Sequence, residues 1–252
     1  MSGHSKWSTI KRKKGAEDAK RGNLFTKLGR EIAIAAGDGG DPNTNFKLRL
    51  AIEKARAASM PKDNIQRAIR RGTGTEKGEE LEEVCYEGYG PHGVAMLVQV
   101  LTDNRNRAVS DVRSAFSRHG GSLGETGCVA WLFESKGYIT IFPNDHDPDE
   151  LALMAIDAGA DDVTVGSDLV EVYTRLNDFQ RVKEELEKNG ITLDSADISR
   201  VPKSLADLDE KETTKAMILI DALEELDDVQ QVYSNLNITD EIMAKYDEWA
   251  SS

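Results

Sequence analysis

Cysteine is nearly absent from this 252-residue chain: Cys85 and Cys128 are too few to staple a disulfide framework. Both lie in apolar, strand-like contexts and are expected to be buried thiols in a reducing compartment. Long apolar runs are missing too, since none approaches the roughly 20 residues that span a bilayer. The first residues are polar and basic with no apolar segment behind them, so a cytoplasmic location and no membrane partner are expected. The four histidines share no metal-ligand spacing with each other or with cysteine. Neither a phosphate-cradling G-x-x-x-x-G-K-[ST] nor a dinucleotide G-x-G-x-x-G occurs. No serine or cysteine shows a base arranged beside it in sequence. No catalytic residue, metal or cofactor is marked by these patterns, although a triad assembled in space leaves no trace in sequence.

Charge is abundant but unevenly divided. Residues 1–78 carry 18 Lys+Arg against 8 Asp+Glu, a net of +10, whereas residues 79–252 carry 14 against 37, a net of −23. The overall −13 thus hides a basic module joined to an acidic remainder, which points to a polyanionic partner for the basic end. The acidic residues after position 144 read as solvated surface rather than as a metal site.

The basic module reads as helical. An extended arm is expected to Trp7, then a polar helix capped by Ser8 or Thr9 and running to about Arg21. From Asn23 a second helix is predicted, because Leu24, Leu28 and Ile32 recur at i+4 with Phe25 and Ala35, and it should end at Gly37. Thr44 is the expected cap of a third, whose inner face is Leu48, Ala51, Ile52 and Ala55. Pro61 precedes a short helix through Ile65, Ala68 and Ile69, with Gly72 as a left-handed stop. The glycine-rich stretch from Gly72 to Glu83 is the best domain boundary.

Beyond it the period falls to two. Strands over Val84–Tyr89 and Val94–Val100 flank the turn Gly90-Pro91-His92-Gly93, predicting a hairpin. A helix to His119, capped by Thr102 or Asp103 with Val109, Val112, Ala115 and Phe116 inward, precedes a strand over Cys128–Phe133. Then come strand Tyr138–Phe142, helix Pro148–Ala158, strands near Asp162–Val165 and Leu169–Thr174, helix Phe179–Lys188 and a strand around Ile191–Ser199. That βαββαβ order is a complete ferredoxin-like unit. A helix near Glu210–Glu225 and a strand at Val229–Leu236 supply the αβ pair that the earlier ββαβ run lacks. The expected fold is α+β: an all-helical basic domain over 1–78, a discontinuous α+β domain over 79–134 and 205–240, a ferredoxin-like domain over 135–204 inserted in it, and a terminal helix over 241–252.

The candidate nucleic-acid contacts are His4, Lys6, Trp7, Lys11, Arg12, Lys13, Lys14, Lys20, Arg21, Lys27, Arg30, Lys47, Arg49, Lys62, Arg70 and Arg71, with Lys54, Arg56 and Arg67 interleaved. Cations held on a rigid bundle neutralise phosphates and release counterions, although a solvated face shows the same pattern. His4 and Trp7 suit stacking on an exposed base, and Trp7 equally suits plugging the bundle core. Asp103-Asn104-Arg105-Asn106-Arg107, at a helix start, is either an anion site or ordinary capping. Nucleic acid is the expected partner, and the chain is expected to be a monomer. Two rivals stay open: an effector-sensing regulator with a small molecule between the ferredoxin-like domains, and an acidic protein-docking adaptor.

Several blocks then fall in a specific order: Gly3-His4-Ser5-Lys6-Trp7, Phe25-Thr26-Lys27-Leu28-Gly29-Arg30-Glu31-Ile32, Gly40-Asp41-Pro42, Met60-Pro61-Lys62-Asp63-Asn64-Ile65, Tyr86-Glu87-Gly88-Tyr89-Gly90-Pro91 and Leu101-Thr102-Asp103-Asn104-Arg105-Asn106-Arg107. Across essentially its whole length the chain resembles the YebC/PmpR family, whose mitochondrial members include a translational activator of a cytochrome oxidase subunit. It departs at Ser59, where the family often has Asn. The resemblance implies a three-domain α+β protein without enzymatic activity, whose partner is DNA or ribosomal RNA and, in the latter case, the ribosome. It also implies one of two roles: a DNA-binding transcriptional regulator, or a factor that helps the ribosome through stretches such as consecutive prolines.

Overall fold

The computed structural model describes residues 18–76, 81–144, 146–166 and 168–250, without the side chains of 18–21, 240 and 247–250. Their fold is mixed α+β, with helices first and two antiparallel sheets after them. The chain divides into two compact units, one formed by Phe133–Lys203 and the other by the segments on either side of it.

The larger unit begins with three helices: α1 (Asp18–Gly37), α2 (Phe46–Ala57) and α3 (Lys62–Gly72). The expected arm, and the start of the helix from Ser8 or Thr9, lie outside the described residues. Within them α1 runs unbroken through Gly22 and Asn23, where a new helix is predicted from the sequence. The change of pattern there marks the start of the buried face rather than the start of a helix. Burying Ile32, which is fully enclosed, contributes about 1.5–3 kcal/mol. That exceeds the roughly 1 kcal/mol that a glycine costs a helix interior, and the Thr26 hydroxyl donates back to the Gly22 carbonyl at 3.1 Å.

Leu28, Ile32, Ala35 and Ala36 of α1 pack on Leu48, Ala51, Ile52 and Ala55 of α2 and on Met60, Ile65 and Ala68. Asn45, one residue after the expected Thr44, caps α2: its Oδ1 accepts the Leu48 N–H at 3.0 Å, and its amide donates to the Ala35 and Gly39 carbonyls. Gly72 is helical rather than left-handed; the positive φ belongs to Gly74 (72°). Gly72 is required for close approach instead, because a Cβ there would lie 2.1 Å from the Ala33 carbonyl oxygen and 2.8 Å from the Ala36 Cβ.

The α+β part of the same unit contains β1 (Glu82–Tyr89), β2 (Ala95–Thr102), α4 (Arg105–Arg118), β3 (Ser122–Leu123), α7 (Glu210–Glu224) and β8 (Val229–Ser234). The hairpin forms as predicted, antiparallel from Glu82↔Thr102 to Tyr89↔Ala95. Strand order is β3-β1-β2-β8. The pieces that complete this sheet, α7 and β8, return after the smaller unit has been traversed. Met96, Val98 and Val100 of β2 meet Val112 and Phe116 of α4 and Met217 and Ile220 of α7 in one core. Ala108, rather than the expected Val109, is the buried residue of the first turn of α4. Helix α8 (Asp240–Ala250) closes the chain, with Met243 and Tyr246 in that core.

The expected strand over Cys128–Phe133 is not there. Strand β3 pairs with β1 at Gly88↔Leu123 and Tyr89↔Ser122, while Ala130–Leu132 is a single 3-10 turn. Glu87 accounts for the difference. Its carboxylate, only 6% exposed, accepts the N–H groups of Gly127 (2.6 Å), Val129 (2.9 Å) and Ala130 (2.8 Å), so this stretch bonds a side chain instead of a strand. Both cysteines are free thiols as expected, but not buried ones, since Cys85 is exposed and Cys128 half-buried.

The smaller unit is β4 (Phe133–Ile141), α5 (Pro148–Ala158), β5 (Asp162–Val165), β6 (Val170–Thr174), α6 (Phe179–Lys188) and β7 (Ser195–Pro202). Its order β5-β6-β4-β7, all antiparallel, is that of a ferredoxin-like sheet. Alternation along β4 and β6 sends Ile139, Ile141, Val170 and Val172 to one face. On the other, the Tyr138 and Tyr173 hydroxyls donate to the buried Glu171 carboxylate at 2.6 and 3.2 Å.

Burial acts to raise the Glu87 pKa, but three N–H donors outweigh it and hold the carboxyl below its ordinary value. A depressed value means that its stabilisation is complete above about pH 4.3 and is lost as pH falls through the lowered folded value. Glu87→Gln, which sets an NH2 donor against N–H donors, is expected to lower the unfolding free energy by about 1–3 kcal/mol at neutral pH and to flatten the acid limb of the stability curve. Urea unfolding from pH 7 to 3 measures both; an unchanged midpoint would show that the loop is held in some other way.

Candidate nucleic-acid interface

A cation reaches a phosphate only if its own protein leaves it available. The candidates His4, Lys6, Trp7, Lys11, Arg12, Lys13 and Lys14 lie outside the described residues, and Lys20 and Arg21 are placed there only as backbone of α1. Lys27 and Arg30 turn inward. Lys27 Nζ donates to the Glu224 carbonyl at 2.6 Å, and Arg30 Nη1 donates to the Asp227 carbonyl at 2.7 Å and to Asp228 Oδ1 at 2.8 Å. These two cations join the helices to the acidic α+β part of the same unit.

Asp228 is the centre of that junction. Only 7% exposed, it also accepts from the Thr102 hydroxyl (2.9 Å) and from Arg107 Nη2 (2.9 Å to Oδ2). Arg107 further reaches Asp103, while Asn104 Oδ1 caps α4 by accepting the Arg107 N–H at 3.0 Å. The Asp103-to-Arg107 segment therefore both caps its helix and receives an anion, and the anion is the protein's own carboxylate. The bonds to Asp228, and then to Asp103, hold the Arg107 guanidinium more firmly protonated than an isolated one.

Other cations are lightly held. Lys47 lies 3.7 Å from Asp38, with both side chains 72% exposed, a pair that water and salt screen. Arg49 stacks over the Phe46 ring at 5.5 Å. Arg70 Nε meets Glu76 at 3.1 Å. Among the described residues, the exposed Arg56, Lys62, Arg67 and Arg71 have neither an ion pair nor a side-chain hydrogen bond.

Arg67 and Arg71, one turn apart on α3, share a groove of about 580 Å³ between α1 and α3. Arg30 and Asn64 add polar groups to it, and Phe25, Ala33, Ile34 and Met60 line it with apolar surface. Gly29 of α1 opens onto the same space. A Cβ at Gly29 would meet only the Met60 Cε, at 3.8 Å, so packing does not demand a glycine there. The helix carries it at a cost of about 0.5–1 kcal/mol relative to alanine, and the result is bare backbone facing the groove. Arg67, only interleaved among the candidate cations in the sequence, is brought beside Arg71 by its i, i+4 spacing on α3. Phe25, which the sequence marks as core, packs on the helical core and also lines the groove.

A second cavity of about 380 Å³ lies in the α+β part, lined by Pro91, His92, His119, Gly120, Lys215 and Ile218. His92 adopts a left-handed φ of 59°, and its Nδ1 is 3.1 Å from Glu212 Oε1. Among the described residues no three His, Cys, Asp or Glu side chains converge as metal ligands, and no helix is long and apolar enough to cross a membrane.

A family model described as the TACO1/YebC protein N-terminal domain matches residues 5–75, and one described as the TACO1/YebC second and third domain matches residues 81–236. The chain is 54% identical over 247 residues to a "probable transcriptional regulatory protein" of Dehalococcoides mccartyi, covering 98% of both. It is 54% identical over 251 residues to a protein of the same description from Chloroflexus aurantiacus, covering 98% of this chain and 100% of that one. Among solved structures, a conserved hypothetical protein of Aquifex aeolicus superimposes with a TM-score of 0.83 at 49% identity, over 89% of this chain and 93% of that one.

Removing one member of a largely buried ion pair costs about 3–5 kcal/mol when both are enclosed. Arg107 is half exposed, so Asp228→Ala is expected to lower stability by about 2–3 kcal/mol in urea unfolding. A loss below about 0.5 kcal/mol would show that the junction is dispensable. Gly29→Ala should raise stability, by about 0.4–1 kcal/mol.

Proposed function

The chain belongs to the TACO1/YebC family, and from that premise we propose that it is a non-enzymatic regulator of gene expression that binds nucleic acid through its helical module. The relatives are named as probable transcriptional regulatory proteins, which supports a regulatory role. One observation carries the nucleic-acid reading: in a chain of net charge −13, Lys62, Arg67 and Arg71 stand exposed on α3 with no counterion among the described residues. Such cations are surrounded by mobile counterions, whose release drives polyanion binding. Lys47, Arg49 and Arg70 flank them, with partners weak enough for phosphate to displace. Lys27 and Arg30 serve instead as internal ties. We assign Lys6, Lys11, Arg12, Lys13, Lys14, Lys20 and Arg21 to the same phosphate-binding set on their charge, and His4 and Trp7 to it as stacking groups.

The acid-rich remainder repels phosphate and leaves the helical module as the binding end. That module, over 1–78, acts as its own domain beside the discontinuous and inserted α+β domains. The protein works in the cytoplasm as a monomer, on DNA or on structured RNA such as that of the ribosome. Phosphate contacts alone are blind to which of these carries them.

With about 6–8 phosphate contacts, log K should fall with log salt at a slope of roughly −4 to −7. Filter binding of the full chain to duplex DNA and to hairpin RNA between 50 and 200 mM salt measures it; affinities that stay flat would remove the proposal. The double variant Arg67→Glu, Arg71→Glu should weaken binding at least about tenfold without lowering the melting temperature. Arg30→Glu, by contrast, should lower the melting temperature.

A further inference from the structure

We infer that the groove between α1 and α3 takes one unpaired nucleotide, with its base against Phe25 and Met60 and its phosphate at Arg67 and Arg71. This rests on the nucleic-acid reading above and goes beyond it, since charge alone asks only for a phosphate backbone. Three observations converge on it. The volume of about 580 Å³ falls within the roughly 300–1,000 Å³ of ligand pockets, whereas a solvated basic face needs no concavity. Its lining joins two kinds of surface that a nucleotide also joins. Phe25 and the thioether of Met60 offer flat and polarizable apolar contact, Asn64 a donor and acceptor for a base edge, and Arg67 and Arg71 two guanidinium groups without a counterion among the described residues.

The third observation is Gly29. Nothing in the helix or its packing calls for a glycine there, and its effect is to leave room beside Phe25 and Met60. Close approach of a ligand to backbone is a recurrent reason for such a residue. A base inside a duplex is stacked on both faces and cannot enter, so the groove selects loops, bulges and single strands.

The test is fluorescence anisotropy of the full chain with three labelled probes at one salt concentration: a hairpin RNA with an unpaired loop, a blunt RNA duplex of equal phosphate number, and single-stranded DNA. The wild type should prefer the loop to the duplex. Gly29→Leu, which fills the groove and favours the helix, should lose about tenfold for the loop probe while duplex binding is unchanged. Phe25→Ala, its melting temperature recorded beside it, should do the same. Arg67→Glu with Arg71→Glu should weaken both probes together. Equal affinity of Gly29→Leu and wild type for the loop probe would overturn the groove while leaving phosphate binding intact. A wild type that binds none of the probes would overturn both readings. Single-stranded DNA bound as well as the RNA loop would support the groove with no role for the 2′-hydroxyl, and a loss on Gly29→Leu with RNA alone would support it with one.

Discussion

One buried carboxylate orders the larger unit. Asp228 sits just before β8 and takes charge-assisted bonds from Arg30 of α1 and Arg107 of α4, together with the Thr102 hydroxyl at the end of β2. Its own carbonyl accepts the Leu101 N–H. An isolated carboxylate in such a place would be strongly disfavoured; two guanidinium groups and a hydroxyl compensate it. Because its partners come from the helical module, from α4 and from the sheet, the carboxylate sets the register between parts that hydrophobic burial alone would leave free to slide. The return of the chain meets it as well, since β8 begins at the next residue and pairs antiparallel with β2.

The same arrangement sorts the cations. A basic module covalently joined to an acidic one risks neutralising itself, and here part of the positive charge is drawn inward. Lys27 and Arg30, on the face of α1 that meets the α+β part, are taken up by the backbone carbonyls of Glu224 and Asp227 and, for Arg30, by the Asp228 carboxylate. The cations of α3 escape this, because that helix packs on α1 through Ile65, Ala68 and the close approach of Gly72. Its Lys62, Arg67 and Arg71 face outward or into the groove. The way α3 packs on α1 thus leaves these three cations at the surface.

Much of the fold was legible in the chain itself. The βαββαβ order of the smaller unit follows from alternation and turn residues, and Asp147 followed by Pro148 marks the start of α5 to the residue. The later αβ pair was recognisable as the missing part of the first sheet because a ββαβ run cannot cover its own face. Elsewhere local pattern misled. Cys128–Leu132 has the composition of a strand, but Glu87, forty residues earlier, captures its N–H groups. The dip in hydrophobicity before Asn23 resembles a helix boundary, yet the helix runs unbroken through Gly22 and Asn23. The site divides in the same way: the sign of the charge was plain, but its availability was not, and neither Asp228 in a Leu-Asp-Asp-Val stretch nor Gly29 in a helix announced a role.

The sequence by itself determined the class of fold, the number of sheets, the placement of positive charge at one end and the membership of its family. These depend on period, composition and short ordered blocks, all of which are local. Only the tertiary structure decided which cations are neutralised by the protein and which remain available, and that a groove exists beside the available ones. Counterions and cavities are set by which surfaces meet, and residues as distant as Arg30 and Asp228 meet only once the chain is folded.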